Sequence, residues 1–156
     1  MISRLISIAA LCAACAAGAA SQSDTLAGQW SYDPAQSKNV GMMATMKIHT
    51  IIVQSPSELT VDDYSEFNGQ KDKQHTVYDL SGKAVSNTPI MGGTSTTRSR
   101  WEDARLITEW ESPGSIAGTK VKRTEMRYVS PDGGTMYVES SRPGQDPMVM
   151  VFTRDR

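Results

Sequence analysis

Residues 46–67 read Met46-Lys47-Ile48-His49-Thr50-Ile51-Ile52-Val53-Gln54-Ser55-Pro56-Ser57-Glu58-Leu59-Thr60-Val61-Asp62-Asp63-Tyr64-Ser65-Glu66-Phe67. Two runs rich in β-branched and aromatic residues flank a Ser-Pro-Ser-Glu loop, the pattern of a β-hairpin. With Ser55–Glu58 as the loop, Gln54 faces Leu59 and the period-two alternation of a strand assigns every other side chain. Met46, Ile48, Ile52, Val61 and Phe67 share one face, with Thr50 opposite Asp63 among them. The other face sets Lys47 against Glu66 and His49 against Tyr64, a solvated pattern with a cross-strand ion pair. One face is core and the other is water, which is how antiparallel sheets are built.

The same grammar continues on both sides of this hairpin. Asp103-Ala104 reads as a tight turn that puts Trp101 opposite Leu106 and Arg98 opposite Glu109. Trp101, Leu106, Thr108 and Trp110 then share an apolar face, and Arg98, Arg100, Glu109 and Glu111 the polar one. Pro131-Asp132-Gly133-Gly134 turns a third hairpin with Arg127, Val129, Met136 and Val138 on one face and Tyr128 and Tyr137 on the other. Strands are expected at Gly28–Tyr32, Met46–Gln54, Leu59–Phe67, Lys73–Asp79, Lys83–Ser86, Gly93–Glu102, Arg105–Ser112, Thr119–Val129, Thr135–Ser141 and Met148–Arg154. A short helical turn is expected after Pro34. No long 3.6-residue apolar stripe exists to build a helical layer, and the propeller-like stretch Val129–Val138 occurs once without a repeat. About ten strands joined by short links predict an all-β antiparallel barrel or sandwich.

The first 20 of the 156 residues have a different character. Arg4 precedes a short apolar run, Leu5 to Cys12, that thins into alanines up to Ala20, the three parts of an export signal. Its apolar stretch is too short and alanine-rich for a stable membrane anchor. Cleavage near Ala20 would leave residues 21–156 as a single domain in the periplasm or outside the cell. Both cysteines, Cys12 and Cys15, would leave with the signal, so thiol catalysis, cysteine-linked haem and cysteine-based zinc sites are not expected. Lipidation at Cys15 is the less favoured route, because the position three before it is Cys12 and not a Leu-like residue. Residues 21–156 carry 15 basic and 17 acidic side chains without a basic cluster, which argues against a nucleic-acid partner.

No catalytic motif emerges. His49 and His75 lie on different strands without a companion at metal-ligand spacing, and no metal or other cofactor is expected. Asp62 and Asp63 point to opposite faces, and Glu109 and Glu111 face Arg98 and Thr96 in a solvated ladder. What remains is an interior. Asp63 and Arg127 fall on inward faces and must be paired, hydrated or neutral if buried. They are either rim or ion-paired positions, with a partner for Arg127 near Glu125 on an adjoining strand, or part of a wet lumen where Arg127 anchors an anionic head group. Methionines outnumber phenylalanines eight to two beyond the signal; Met is core filler and also serves adaptable binding surfaces. Met42-Met43 sits in a strand-poor link placed to lid a barrel mouth.

Leu26-Ala27-Gly28-Gln29-Trp30 resembles the Gly-x-Trp opening of the calycin barrels, the lipocalins and fatty-acid-binding proteins. The Arg127-x-Val129-Ser130-x-Asp132-Gly133 hairpin and the Met150-Val151-Phe152 strand are similar to the end of the fatty-acid-binding branch. The chain from Gly28 on also resembles a group of uncharacterised exported bacterial small β-barrel proteins that share a Gly-x-Trp-x-x-Asp-Pro start and a Val-Ser-x-Asp-Gly-x-Thr-Met hairpin. The fatty-acid-binding resemblance implies a ligand held inside by two arginines and an aromatic. Arg127 takes the first arginine position and Phe152 the aromatic one, whereas the second arginine position is Met150, and the branch's helical lid is too long for the link between Tyr32 and Met46. These departures leave a general apolar or amphipathic small molecule as the expected partner, bound without catalysis by Asp63, Trp101, Trp110, Arg127, Met136, Met150 and Phe152. The chain also resembles exported protease inhibitors that use a Gly-x-Trp barrel. That alternative implies an interaction module without internal cargo, acting on a secreted protease through the arm Ser21–Leu26.

Overall fold

The hairpin of residues 46–67 forms in the expected register, with Gln54 opposite Leu59, Thr50 opposite Asp63 and Lys47 opposite Glu66. The computed structural model describes residues 25–88 and 94–156; the expected export signal, with both cysteines, and Gly93, the first residue of an expected strand, lie outside them. Ten strands follow in chain order: β1 (Gly28–Tyr32), β2 (Lys47–Gln54), β3 (Glu58–Phe67), β4 (Gln70–Asp79), β5 (Val85–Asn87), β6 (Ser95–Glu102), β7 (Arg105–Pro113), β8 (Lys120–Val129), β9 (Thr135–Ser141) and β10 (Met148–Arg154). Each pairs antiparallel with its chain neighbour, save that β1 also pairs with β10 and β4 does not ladder with β5. The result is an all-β, nearly closed barrel.

The first and last strands are locked by one arginine. Arg154 stacks its guanidinium 4.0 Å from the centre of the Trp30 ring and donates to the carbonyls of Ala27, Thr25 and Gly133 at 2.7, 3.1 and 2.7 Å. Trp30, fully buried, donates its indole N–H to the Leu26 carbonyl at 3.0 Å. Gly28 has φ of 138°, and a Cβ there would lie 2.6 Å from Arg154 Nη1. The Gly-x-Trp pattern is thus a steric requirement: glycine makes room for the cation that covers the tryptophan.

The open flank between β4 and β5 is bridged by a side chain. Asn87 Nδ2 donates to the Val77 carbonyl at 2.9 Å and its Oδ1 accepts from the Val77 N–H at 3.0 Å, so the amide does the work of a backbone partner. A second Nδ2 bond, 2.9 Å to Thr97 Oγ1, ties the clasp to β6. The expected fifth strand, Lys83–Ser86, stops one residue short of this asparagine.

Inward positions split the barrel into two halves. One end, with Leu26 and the 102–105 and 129–135 turns, is packed by Leu26, Trp30, Leu59, Val61, Leu106 and Met136, each essentially buried. Along β6 the inward side chains of Ser95, Thr97 and Ser99 are small and polar, and Ser99 Oγ meets Thr108 Oγ1 at 2.9 Å. The opposite end carries the 67–70, 113–120 and 141–148 turns and a 3₁₀ turn, Gly41–Thr45, which falls at the end of the Asp33–Thr45 segment where a short helical turn was expected. Phe67, expected on the inward face, is 37% exposed because it ends β3 at this rim. Outside, Lys47 pairs with Glu66 as read, at 3.4 Å, whereas Glu109 is taken by Arg100 at 3.0 Å rather than by Arg98 opposite it, and Glu111 by Lys120.

Candidate functional site

Strand β8 supplies the chemistry. Alternation places Arg123, Glu125 and Arg127 on the same inward face at successive i, i+2 positions. Arg127 Nε donates to Glu125 Oε1 at 2.9 Å, and Arg123 Nη2 lies 3.7 Å from Glu125 Oε2. Tyr78 of β4 closes the group: its hydroxyl accepts from Arg127 Nη2 at 3.2 Å and donates to Glu125 Oε1 at 3.4 Å. Glu125 and Arg127 are 6% and 8% exposed, so this ion pair is interior. Asp63 of β3 faces the same space and accepts from Thr50 Oγ1 at 2.5 Å.

Glu125, Arg127, Tyr78 and Asp63 respond to this enclosure. Burial pushes the Glu125 carboxyl up, but the flanking Arg127 and Arg123 outweigh it and hold it below the usual carboxylate range. Burial works against the Arg127 charge, and Tyr78, Glu125 and Asp63 together overcome it and raise the guanidinium further. The Tyr78 phenol is driven up by burial and stays protonated. Asp63 is the exception among the acids: its desolvation exceeds the help of Arg127 and Thr50, and its carboxyl sits above the ordinary value.

These groups line a cavity of about 180 Å³ in the half of the barrel next to the 3₁₀ turn. Its wall combines the polar cluster with Ile48, Trp110, Met148, Met150, Phe152 and Met43 from the 3₁₀ turn. Met42, the other residue of the expected lid, is 75% exposed. Two buried N–H groups here have no hydrogen-bond partner among the described residues, Trp110 Nε1 and Arg123 Nε. They belong to cross-strand partners, with the Arg123 guanidinium 4.4 Å from the centre of the Trp110 ring.

Of the seven residues expected to line an interior site, Asp63, Trp110, Arg127, Met150 and Phe152 surround this cavity. Met136 and Trp101 do not. Met136 is wholly buried, paired with Val129 and Phe152 in the packed half. Trp101 lies at the far end beside Gln54, Asp103 and Ala104, two residues from the β6–β7 turn. Face assignment was correct for both, but a face does not say how far along the barrel a residue sits. The partner of Arg127 is also closer than expected: it is Glu125 itself, on the same strand. Leu26, the last residue of the arm expected to engage a protease, is buried in the barrel core.

Arg123, Tyr78 and the inward place of Glu125 were not read from the sequence. Glu125 and Arg123 share the parity of Arg127, so the third hairpin already implied them. Tyr78 follows from Asn68-Gly69, a two-residue turn with φ of 49° and 78° that sets Phe67 opposite Gln70 and hence Leu59 opposite Tyr78.

No protein-family model matches the chain. No curated protein sequence matches it. Solved structures do. The REP1-NXSQ fatty acid transporter superposes with a TM-score of 0.66 at 16% identity, over 84% of this chain and 96% of that one. The Schistosoma mansoni fatty acid binding protein, solved with arachidonic acid, gives 0.65 at 14% identity over 83% and 96%. Human cRBP IV gives 0.61 at 16% identity over 84% and 98%. At such identities the likeness is one of fold: the chain is a calycin-like antiparallel β-barrel.

Proposed function

We propose that this protein is an exported, non-catalytic binding protein that holds a small apolar or amphipathic molecule inside its barrel. The observation that carries the reading is the cavity of about 180 Å³, walled by methionine and aromatic side chains around a few convergent polar groups. That mixture of apolar lining and sparse polar anchors is the usual make-up of a ligand site. The neighbours named as fatty-acid transporter and binding protein support it through their shared barrel. The export signal read at Met1–Ala20 supports a periplasmic or secreted location. Glu125, Arg127 and Tyr78 inside are engaged with one another, and Glu109 and Glu111 outside pair with Arg100 and Lys120, which supports binding without chemistry.

Native mass spectrometry of protein purified from its own host tests the reading directly, by the mass of a retained molecule. A delipidated sample titrated with a hydrophobe panel should show a tryptophan emission change that Trp110→Phe removes and Trp101→Phe leaves in place. Absence of both a retained mass and any emission or melting shift would remove the proposal.

A further inference from the structure

Charge balance inside the barrel gives the cargo a chemical class. The cavity holds two guanidiniums, Arg123 and Arg127, and two carboxylates, Glu125 and Asp63. Glu125 lies between the arginines, bonded to one at 2.9 Å and 3.7 Å from the other. A free carboxylate entering this space meets cations that are already matched and must also sit beside Glu125 in a poorly hydrated site. The unfilled capacity is of another kind. Trp110, 4% exposed, has its indole N–H unpartnered among the described residues, and so has Nε of its cross-strand partner Arg123. Unpartnered donors on two cross-strand neighbours call for an acceptor, and a carbonyl oxygen supplies lone pairs without bringing a charge.

We infer that the cavity selects an uncharged ligand carrying a hydrogen-bond acceptor, a ketone, ester or amide on a short apolar body, and discriminates against free carboxylates because the barrel's own Glu125 occupies the guanidiniums. This inference rests on the cargo reading above and sharpens it. Size follows from the same space: about 180 Å³ lies below the usual range of drug-sized ligand pockets and suits a short or medium-length body and not a long acyl chain. The polarity of the wall agrees. Ser65, Gln74 and Thr76 are neutral.

Isothermal titration at pH 7.5 with three seven-carbon probes, heptan-2-one, heptanoate and 1-heptylamine, tests the selection on the native sequence. Heptan-2-one is expected to bind at least tenfold more tightly than either charged probe. Glu125→Gln releases Arg127 and should strengthen heptanoate at least tenfold, while Trp110→Phe should weaken heptan-2-one about fivefold and leave the weak heptanoate affinity unchanged. Heptanoate binding as tightly as heptan-2-one to the native protein overturns the inference and leaves the cargo reading standing. Where none of the three binds, the mass of the ligand retained from the host decides. A neutral acceptor-bearing molecule supports the inference, a free acid overturns it, and no retained ligand removes both readings.

Discussion

Replacing Arg127 by Met tests whether the interior ion pair is one unit. The substitution keeps an unbranched apolar stem but removes the 2.9 Å bond to Glu125 and the 3.2 Å bond to Tyr78. Glu125, 6% exposed, is left with the Tyr78 hydroxyl at 3.4 Å and Arg123 at 3.7 Å. Stranding one member of a buried pair costs about 3–5 kcal/mol. The Arg123 contact puts Arg127→Met near the low end, about 3 kcal/mol. Glu125→Leu, which strands Arg127 beside an uncharged phenol, should cost about 4 kcal/mol. The double variant removes both charges together and should lie within about 1 kcal/mol of the native protein, because paired apolar replacements often break even. The cycle then shows a coupling of several kcal/mol, well above the roughly 0.5 kcal/mol within which independent sites add. The assay is urea unfolding at pH 7, followed by circular dichroism so that Trp110 does not bias the signal. On a domain of this length each kcal/mol moves Tm by about 3–5 °C, so the singles should fall by more than 9 °C and the double by less than 5 °C. Additive losses in the double variant would refute the claim that Glu125 and Arg127 neutralise each other, and with it the charge argument for an uncharged ligand.

Three further outcomes follow from particular contacts. Asn87→Ala removes three hydrogen bonds across the β4–β5 flank and should cost about 2–3 kcal/mol, with the Val77 amide showing the largest rise in hydrogen exchange. Gly28→Ala drives a methyl to within 2.6 Å of Arg154 Nη1 and should cost about 1–3 kcal/mol; an unchanged urea midpoint would show that the guanidinium moves aside freely. Asp63 is faced by Thr50, Glu125 and Arg127, and burial raises its carboxyl above the unfolded value of about 3.9. Its favourable contribution is therefore full below that unfolded value and is lost as pH rises through the folded one. Asp63→Asn keeps an acceptor for Thr50, so it should stabilise the protein near pH 7 and match it near pH 3, read as paired urea midpoints.

Turn chemistry and alternation made much of this barrel legible. The Ser55, Asp103 and Pro131 turns set three registers that the structure reproduces residue by residue, because one slipped position would turn a whole apolar face to water. β5 was harder. It spans three residues and ends in an asparagine whose side chain replaces a ladder, so neither length nor alternation marks it. The candidate site was legible as a face and not as a depth. Asp63, Trp110 and Arg127 surround the cavity, while Trp101 shares the face of Trp110 but pairs with Leu106, four register positions nearer the turn, at the other end of the barrel. The engaged state of Arg127 was hidden for a different reason. Glu125 is two residues away on the same strand, and whether such a pair is joined or splayed depends on the walls around it.

The pairing of β1 with β10 also orders events in time. Trp30 receives its covering cation from Arg154, and Tyr32 its ring neighbour from Phe152, at 5.5 Å. A ribosome delivers these partners more than a hundred residues apart, so every strand but the last can exist while the cylinder still stands open like an unrolled sheet. Loop closure over that distance is slow and comes only after the rest has been released. Until then the chain has no sealed interior.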